Sequence, residues 1–174
     1  MCIRDRYNYS MANAKILMYG ESNMPDKKRT ACFLTCSPFI LKWRYRWFGI
    51  HNRCFKQKIR KLILQSIQEG YTNFLASLFT GTDTLCVRIL LHLKKEYPQI
   101  TIDGIICCDR EKRPHRLVNR RLIKKCDTIQ YIYDMNSQFY KRDQFMIQHA
   151  GCVIALDYDK EGGKVNERFY LTRF

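Results

Sequence analysis

The chain has 174 residues and a formal net charge of +15, and 46% of its residues are hydrophobic. This length and apolar share are enough for one domain with a buried core, which excludes wholesale disorder. No apolar run approaches the roughly 18 residues that a membrane helix needs, and the N-terminus lacks the apolar segment of a secretory signal. We therefore expect a cytoplasmic protein that does not contact a membrane.

The first six residues, MCIRDR, match the translation of a sequencing adaptor. We expect the native chain to start later, at Met11, Met18 or Met24. The expected organisation is a short N-terminal tail over residues 1–29, followed by a single domain over residues 30–174.

From residue 30 onward, apolar segments of strand length alternate with segments of helical periodicity. The predicted strands are Thr30–Thr35, Tyr71–Ala76, Ile100–Cys108, Thr128–Tyr133 and Cys152–Tyr158. The predicted helices are Asn52–Glu69, Asp83–Tyr97, Pro114–Lys125 and Ser137–Ala150, with one more starting after Gly162 and Gly163. Asn52 is expected to cap the first helix, and Gly70 to end it in a left-handed conformation. The alternation predicts an α/β fold with a mainly parallel sheet and helices on both faces.

In such folds ligands bind at the carboxyl ends of the strands, so the loops that follow the strands are the informative positions. The nine cysteines form no CxxC pair and no Cys/His zinc spacing. They are interpreted as reduced core thiols, and no metal site is predicted.

The excess of positive charge is clustered. From Lys27 to Gln68 there are eleven Lys and Arg and no acid, and from Arg110 to Lys125 there are eight against one acid. Such clusters fit an anionic partner, and they also fit an ordinary solvated helix surface. The second interpretation is favoured because the basic residues lie on predicted helices whose other face is apolar.

Four separated segments resemble YpsA-like members of the SLOG superfamily. They read CFLTCSP (Cys32–Pro38), EGYTNFLASLFTGTDTLCVR (Glu69–Arg88), HLKKEYP (His92–Pro98) and KRDQFMIQHAGCVIALDYDKEGGK (Lys141–Lys164). The resemblance spans about residue 30 to the C-terminus. It implies a Rossmann-like three-layer fold related to the DNA-processing protein A and to the lysine-decarboxylase-like phosphoribohydrolases. It also implies a continuation beyond the double glycine, so we expect the C-terminal helix and strand to be truncated.

The chain departs from the family pattern at the positions that face the ligand. The family's Gly-His-Arg is Thr35, Cys36 and Ser37 here, and its Ser-Gly-Gly is Ala76, Ser77 and Leu78. A leucine in a phosphate loop would place branched bulk where the phosphate lies. Asp83 is retained, and it is expected either to cap the second helix or to contact a ribose hydroxyl.

The resemblance implies a protein that binds or senses a nucleotide or an ADP-ribose-like ligand, with no other cofactor. The implied ligand-binding residues are Thr35, Cys36, Ser37, Pro38, Ser77, Gly81, Asp83, Thr84, Arg142, Gly162 and Gly163. A hydrolase of the phosphoribohydrolase type would need an arginine and a glutamate where this chain has Ser37 and Arg88. We therefore predict no catalytic residue.

Two alternatives remain open. One is a protein that binds single-stranded nucleic acid through its basic surface, where basic and aromatic residues alternate. Its predicted contact residues are Lys42, Trp43, Arg44, Arg46, Arg113, Arg116, Arg120 and Arg121. The other is an inactive fragment that binds no ligand.

Overall fold

The computed structural model describes residues 26–35, 49–79, 81–108, 114, 118–133, 140–161 and 164–173. These residues form one six-stranded sheet and four helices. The strands are β1 (Thr30–Thr35), β2 (Asn73–Ser77), β3 (Thr101–Cys108), β4 (Thr128–Tyr133), β5 (Cys152–Glu161) and β6 (Lys164–Arg173). The helices are α1 (Gly49–Gln68), α2 (Thr82–Leu93), α3 (Arg120–Ile123) and α4 (Tyr140–Gln148), and a 3-10 turn at Lys27–Arg29 precedes β1.

The sheet has the order β4-β3-β2-β1-β5-β6, and every neighbouring pair is parallel except β5 and β6. The chain builds outward from β1 to β4 and then crosses to the other side of β1 to form β5. The strand order therefore reverses at β1, which is where open parallel sheets form a ligand crevice. This arrangement confirms the predicted Rossmann-like three-layer fold.

Two hydrophobic cores cover the two faces of the sheet. Along β1, Ala31 and Phe33 belong to the core under α1 and α2, whereas Cys32 and Leu34 belong to the core under α4. Successive strand residues point to opposite faces, so a strand that is apolar throughout must be buried on both. Of the described residues of β1, only Thr35, at the carboxyl end, is not fully buried.

Helix α1 packs Phe55, Ile59 and Ile63 into the first core at the spacing that the sequence predicts. The helix starts at Gly49, three residues before Asn52, so Asn52 is not its N-terminal cap. Gly70 follows the helix with a φ of 93°, as expected for a left-handed ending.

Two predicted helices are wrong. The predicted helix Pro114–Lys125 shrinks to Arg120–Ile123, because Pro114 and Val118 form isolated bridges with Cys108 and Phe79. Tertiary pairing overrides the helical periodicity there. The helix expected after Gly163 is instead strand β6, which pairs antiparallel with β5 at the sheet edge.

Strand β5 extends beyond the sheet core. Its last pairing with β1 joins Thr35 to Leu156, but its pairing with β6 continues to Glu161, opposite Lys164. The five residues after Leu156 therefore form a two-stranded ribbon with the first half of β6, at the carboxyl edge of the sheet.

The amino edge of the sheet carries a row of polar side chains. The Asn73 amide donates to the Thr30 hydroxyl (3.4 Å), and the Thr101 hydroxyl donates to Asn73 Oδ1 (2.6 Å). These residues sit side by side on β1, β2 and β3. The row satisfies buried polar groups and is far from the carboxyl edge, so it serves the fold.

Among the described residues, seven cysteines are present as free thiols and five of these are buried. Burial raises the pKa of the Cys32 and Cys86 thiols well above the ordinary value, which keeps them protonated. None of the helices in the described part of the chain is both long and apolar enough to cross a membrane.

Candidate functional site

A compact group of polar side chains forms where β1, β2, α2 and α4 meet at the carboxyl edge. Thr35 ends β1, Ser77 ends β2 and Asp83 lies in the first turn of α2, while α4 contributes Arg142 and Asp143. Four of the five are buried, and Thr35 is half-buried. We call these five residues the carboxyl-edge cluster.

Arg142 is the centre of this cluster and is only 5% exposed. Its Nε and Nη2 atoms both donate to Asp143 Oδ1, the former at 2.9 Å, and its Nη1 atom donates to the Ser77 hydroxyl at 2.9 Å. The guanidinium also lies over the ring of Phe79, 4.9 Å from its centroid. Burial opposes the guanidinium charge, but the Asp143 and Asp83 carboxylates outweigh it and raise the pKa of Arg142.

Asp83 is the second buried charge of the cluster, at 6% exposed. Its Oδ1 atom accepts a short hydrogen bond from the Thr35 hydroxyl. Burial raises the pKa of Asp83, and the charge of Arg142 with the Thr35 and Ser77 hydroxyls offsets only part of that effect. Because the N-terminal cap of α2 is Gly81, Asp83 does not cap the helix.

The loop between β2 and α2 is fastened from two sides. The Thr84 hydroxyl donates to the Phe79 carbonyl (2.9 Å) and accepts from the Asn119 amide (3.3 Å). The Asn119 backbone N–H donates to the Leu78 carbonyl (2.7 Å), and Phe79 bridges to Val118. Thr84 therefore holds the loop in position, and the segment before α3 supports it from outside.

The N-terminus of α2 has no side chain to cap it. Gly81 adopts φ 97° and ψ −131°, a backbone conformation that is essentially restricted to glycine, and it makes no side-chain cap. The first N–H groups of a helix have no intrahelical partner, and the helix dipole places positive potential there. Next to Gly81, the Thr82 hydroxyl oxygen is buried without a hydrogen-bond partner, in a residue that is 2% exposed.

Leu78 does not place its bulk in the ligand loop, contrary to the sequence-based expectation. Its side chain is fully buried in the core under α1 and α2. Leu78 Cδ1 would lie 2.8 Å from a Cβ added to Gly104, so the absence of a side chain at Gly104 makes room for the leucine. The core therefore accommodates the leucine that stands where the family pattern has a glycine.

The structure thus brings together several of the predicted ligand-binding residues: Thr35, Ser77, Gly81, Asp83, Thr84 and Arg142. Cys36, Ser37, Pro38, Gly162 and Gly163 lie outside the described residues. Sequence reasoning missed three contributors. These are Asp143, Thr82 and Asn119. Two of them left a signal in the sequence: Asp143 stands where the family has an asparagine, and Thr82 is a hydroxyl residue directly after the loop glycine. Asn119 left no recognisable signal.

Only two of the predicted nucleic-acid contacts can be located. Arg120 and Arg121 are exposed on α3, whereas Lys42, Trp43, Arg44, Arg46, Arg113 and Arg116 lie outside the described residues. Arg88, at the family's glutamate position, is exposed on α2. In the described part of the chain, no three His, Cys, Asp or Glu side chains are grouped as a metal site requires.

Comparison with models of protein families gives a match. The family model described as the YspA SLOG family matches residues 50–173, which is most of the chain and runs from the second residue of α1 to the end of β6. No curated protein matches the chain.

Proposed function

Because this chain belongs to the YspA SLOG family, we propose that its carboxyl edge binds a nucleotide or an ADP-ribose-like ligand. The observation that carries this proposal is the uncapped N-terminus of α2, where Gly81 lies beside the buried, unpartnered hydroxyl of Thr82. Buried polar atoms in folded proteins nearly always have a partner, and a ligand would supply one here.

The anionic part of the ligand fits the N-terminus of α2. Backbone N–H groups and the dipole favour negative charge there, and the glycine allows a ligand atom to approach the backbone closely. The α2 helix has twelve residues, and the fastened loop before it fixes where those N–H groups point. A phosphate oxygen at this position would accept from the Thr82 hydroxyl.

The sugar part fits the acidic side of the carboxyl-edge cluster. Asp83 already accepts from one hydroxyl, that of Thr35, and carboxylates are the usual partners of ribose hydroxyl groups. Asp83 is one helical turn or less from Gly81, so a single ligand can reach both. The resulting ligand is one in which a phosphate and a sugar are neighbours, as in a nucleotide.

We propose binding without turnover. The guanidinium of Arg142 is held by Asp143 and Ser77, so its charge is compensated within the protein and is not presented to a reacting phosphate or glycosidic bond. Arg88 lies on the exposed surface of α2 at the position where the hydrolases would need a glutamate. Incubation with the ligand should leave it chemically unchanged.

The variant Thr82→Val tests the site directly. Valine keeps the shape of threonine and removes the unpartnered hydroxyl, so the free protein should become more stable by about 1 kcal/mol or more. The same change removes a ligand contact, so the rise in melting temperature with AMP, ADP or ADP-ribose should shrink. A saturating ligand at 100 times its Kd stabilises the wild type by about 2.7 kcal/mol.

Thr72→Val is the matched control, because Thr72 is half-buried at the amino side of β2. It should leave the ligand-induced shift unchanged. A Thr82→Val protein that is less stable and still shows the full shift would contradict the proposal. If no nucleotide in the panel shifts the wild type, the chain is better described as a domain that has lost its ligand.

A further inference from the structure

The exposed acids that the structure describes on the helical side of the sheet are each held in an ion pair. Among the described residues 49–127, the exposed carboxylates are Glu69, Glu96 and Asp127, and each makes an ion pair. Glu69 accepts from Arg173 Nε at 2.8 Å, Glu96 lies 3.2 Å from Arg60 Nη2, and Asp127 contacts Lys94. Among the described residues on this side, no further exposed carboxylate is left to neutralise the remaining cations.

Nine exposed cations in this region make none of these ion pairs, and they follow three consecutive helices. We call them the basic helix face; they are Arg53, Lys56, Lys61, Arg88, Lys95, Arg120, Arg121, Lys124 and Lys125. Arg88 and His92 share one side of α2, and Lys95 follows in the turn directly after the helix.

The three helices form a continuous layer. Each connects neighbouring parallel strands of the series β1-β2-β3-β4, so they lie side by side on one face of the sheet. The Arg60–Glu96 pair joins α1 to the end of α2, and the Lys94–Asp127 pair joins α2 to the turn after α3. The cations are thus carried by a rigid surface, spread over about 12 Å between Arg53 and Lys61 alone.

We propose that the basic helix face binds the phosphate backbone of nucleic acid, independently of base sequence. The cations are spread over a larger area than one small anion could contact. Apart from His92, the exposed residues of α1, α2 and α3 that the structure describes include no aliphatic or aromatic side chain. A membrane-binding surface inserts apolar side chains, and a protein interface is anchored by aromatic or aliphatic ones, so neither partner fits as well. The same composition is dominated by cations, so the contact is made mainly with phosphates.

This site is separate from the carboxyl edge, and its test does not depend on a nucleotide ligand. Fluorescence anisotropy with labelled 20-nucleotide DNA, single-stranded and duplex and in two unrelated sequences, should give similar affinities for the two sequences. If the protein neutralises four phosphates on binding, its affinity for DNA should fall roughly 100-fold between 50 and 200 mM NaCl.

The decisive comparison is between two triple variants with the same change in net charge. Arg53→Gln, Lys56→Gln and Lys61→Gln together remove the α1 part of the basic helix face. Lys27→Gln, Lys28→Gln and Arg29→Gln remove three exposed cations of the 3-10 turn before β1. We expect the α1 variant to bind at least about tenfold more weakly at 50 mM NaCl, with a salt slope reduced by about 2.7 for the duplex.

The control variant should bind nearly as the wild type does. Both variants should have melting temperatures no lower than that of the wild type, because the changed side chains are exposed and removing cations relieves repulsion. Equal weakening of the two variants would overturn the proposal, since net charge alone would then explain binding. An affinity that does not change with salt would also overturn it. Binding to vesicles containing phosphatidylserine, without binding to DNA, would assign the face to a membrane instead.

Discussion

At the scale of single residues, the carboxyl-edge cluster holds one buried cation between two buried carboxylates. Arg142 gives Nε and Nη2 to Asp143 and Nη1 to Ser77, while Asp83 depends on a more distant charge and on hydroxyl donors. The two acids are therefore not equivalent. Asp143 holds Arg142 in place, and Asp83 is the acid for which ionisation is costly.

The effect of Asp83 on stability should depend on pH. Burial raises its pKa in the folded protein above the ordinary value of 3.8. The folded state then binds the proton more tightly, so the stabilising contribution of Asp83 is complete below pH 3.8 and is lost as the pH rises through the folded pKa. Asparagine can still accept from Thr35 and does not titrate. Urea unfolding between pH 4 and 7 should therefore show Asp83→Asn gaining stability relative to the wild type as the pH rises.

Asp127→Asn provides a control of opposite sign. Burial tends to raise the pKa of Asp127, but Lys94 and the Ile102 N–H outweigh it and lower the pKa. Asp127 therefore stabilises the folded state at pH values above the ordinary pKa of its carboxyl group, and this stabilisation is lost as the pH falls. Its asparagine variant should lose stability relative to the wild type as the pH rises. If the difference in the free energy of unfolding between Asp83→Asn and the wild type does not change from pH 4 to 7, the effect assigned to the burial of Asp83 is contradicted.

At the scale of elements, the two edges of the sheet use polar residues differently. The row of Thr30, Asn73 and Thr101 at the amino edge consists of direct hydrogen bonds between neighbouring strands. The carboxyl edge instead has the uncapped helix end at Gly81 and the unpartnered hydroxyl of Thr82. The satisfied polar groups belong to the scaffold, and the unsatisfied hydroxyl lies at the edge where we propose that a ligand binds.

The variant Asn73→Ala should separate these two roles. It removes both hydrogen bonds of the amino-edge row, so the free energy of unfolding should fall by about 1–2 kcal/mol in urea titration. The stabilisation by a nucleotide should remain that of the wild type, because the carboxyl edge is untouched. Thr72→Ala, one residue earlier, serves as the control for a change at this edge. A reduced nucleotide effect in Asn73→Ala would mean that the two edges are coupled.

The strands were more predictable than the connections between them. Thr30–Thr35 has its predicted bounds and is buried on both faces, and the partly buried edge strand Thr128–Tyr133 has its predicted bounds as well. The helix predicted from Pro114 was wrong because the bridge between Val118 and Phe79 is a long-range pairing that local periodicity does not contain. Strand β6 did leave a signal, the alternation of Val165, Phe169 and Leu171 with polar residues, but the family pattern favoured a helix there.

The candidate site was predictable to the extent that it follows strand ends. Thr35, Ser77 and Asp83 were found because a parallel sheet collects the ends of its strands at one edge. The role of Asp143 could not be predicted, because it depends on the direction of the neighbouring Arg142 side chain. The place of Leu78 was also missed, since it depends on the space above Gly104 in another strand.

At the scale of the whole molecule, the net charge of +15 should make stability depend on salt. Repulsion among unpaired cations destabilises the compact state, whereas exposed ion pairs contribute at most about 1 kcal/mol each. Raising NaCl from 20 to 200 mM should therefore raise the melting temperature, because it screens more repulsion than attraction. The melting temperature of the triple variant Arg53→Gln, Lys56→Gln and Lys61→Gln should rise less over the same range of NaCl. A melting temperature that falls with NaCl would show that the ion pairs dominate.

The ribbon formed by β5 and β6 has a geometric consequence for the crevice at β1. Its five residues beyond Leu156 extend about 17 Å past the last pairing with β1. They form a wall along one side of the place where the strand order reverses. Among the described residues, the two strands of this ribbon pair only with each other beyond Leu156, so its length does not depend on the cores beneath the sheet. Lengthening or shortening it at its tip would change the access to the proposed site while the cores that hold Phe33 and Leu34 stay the same.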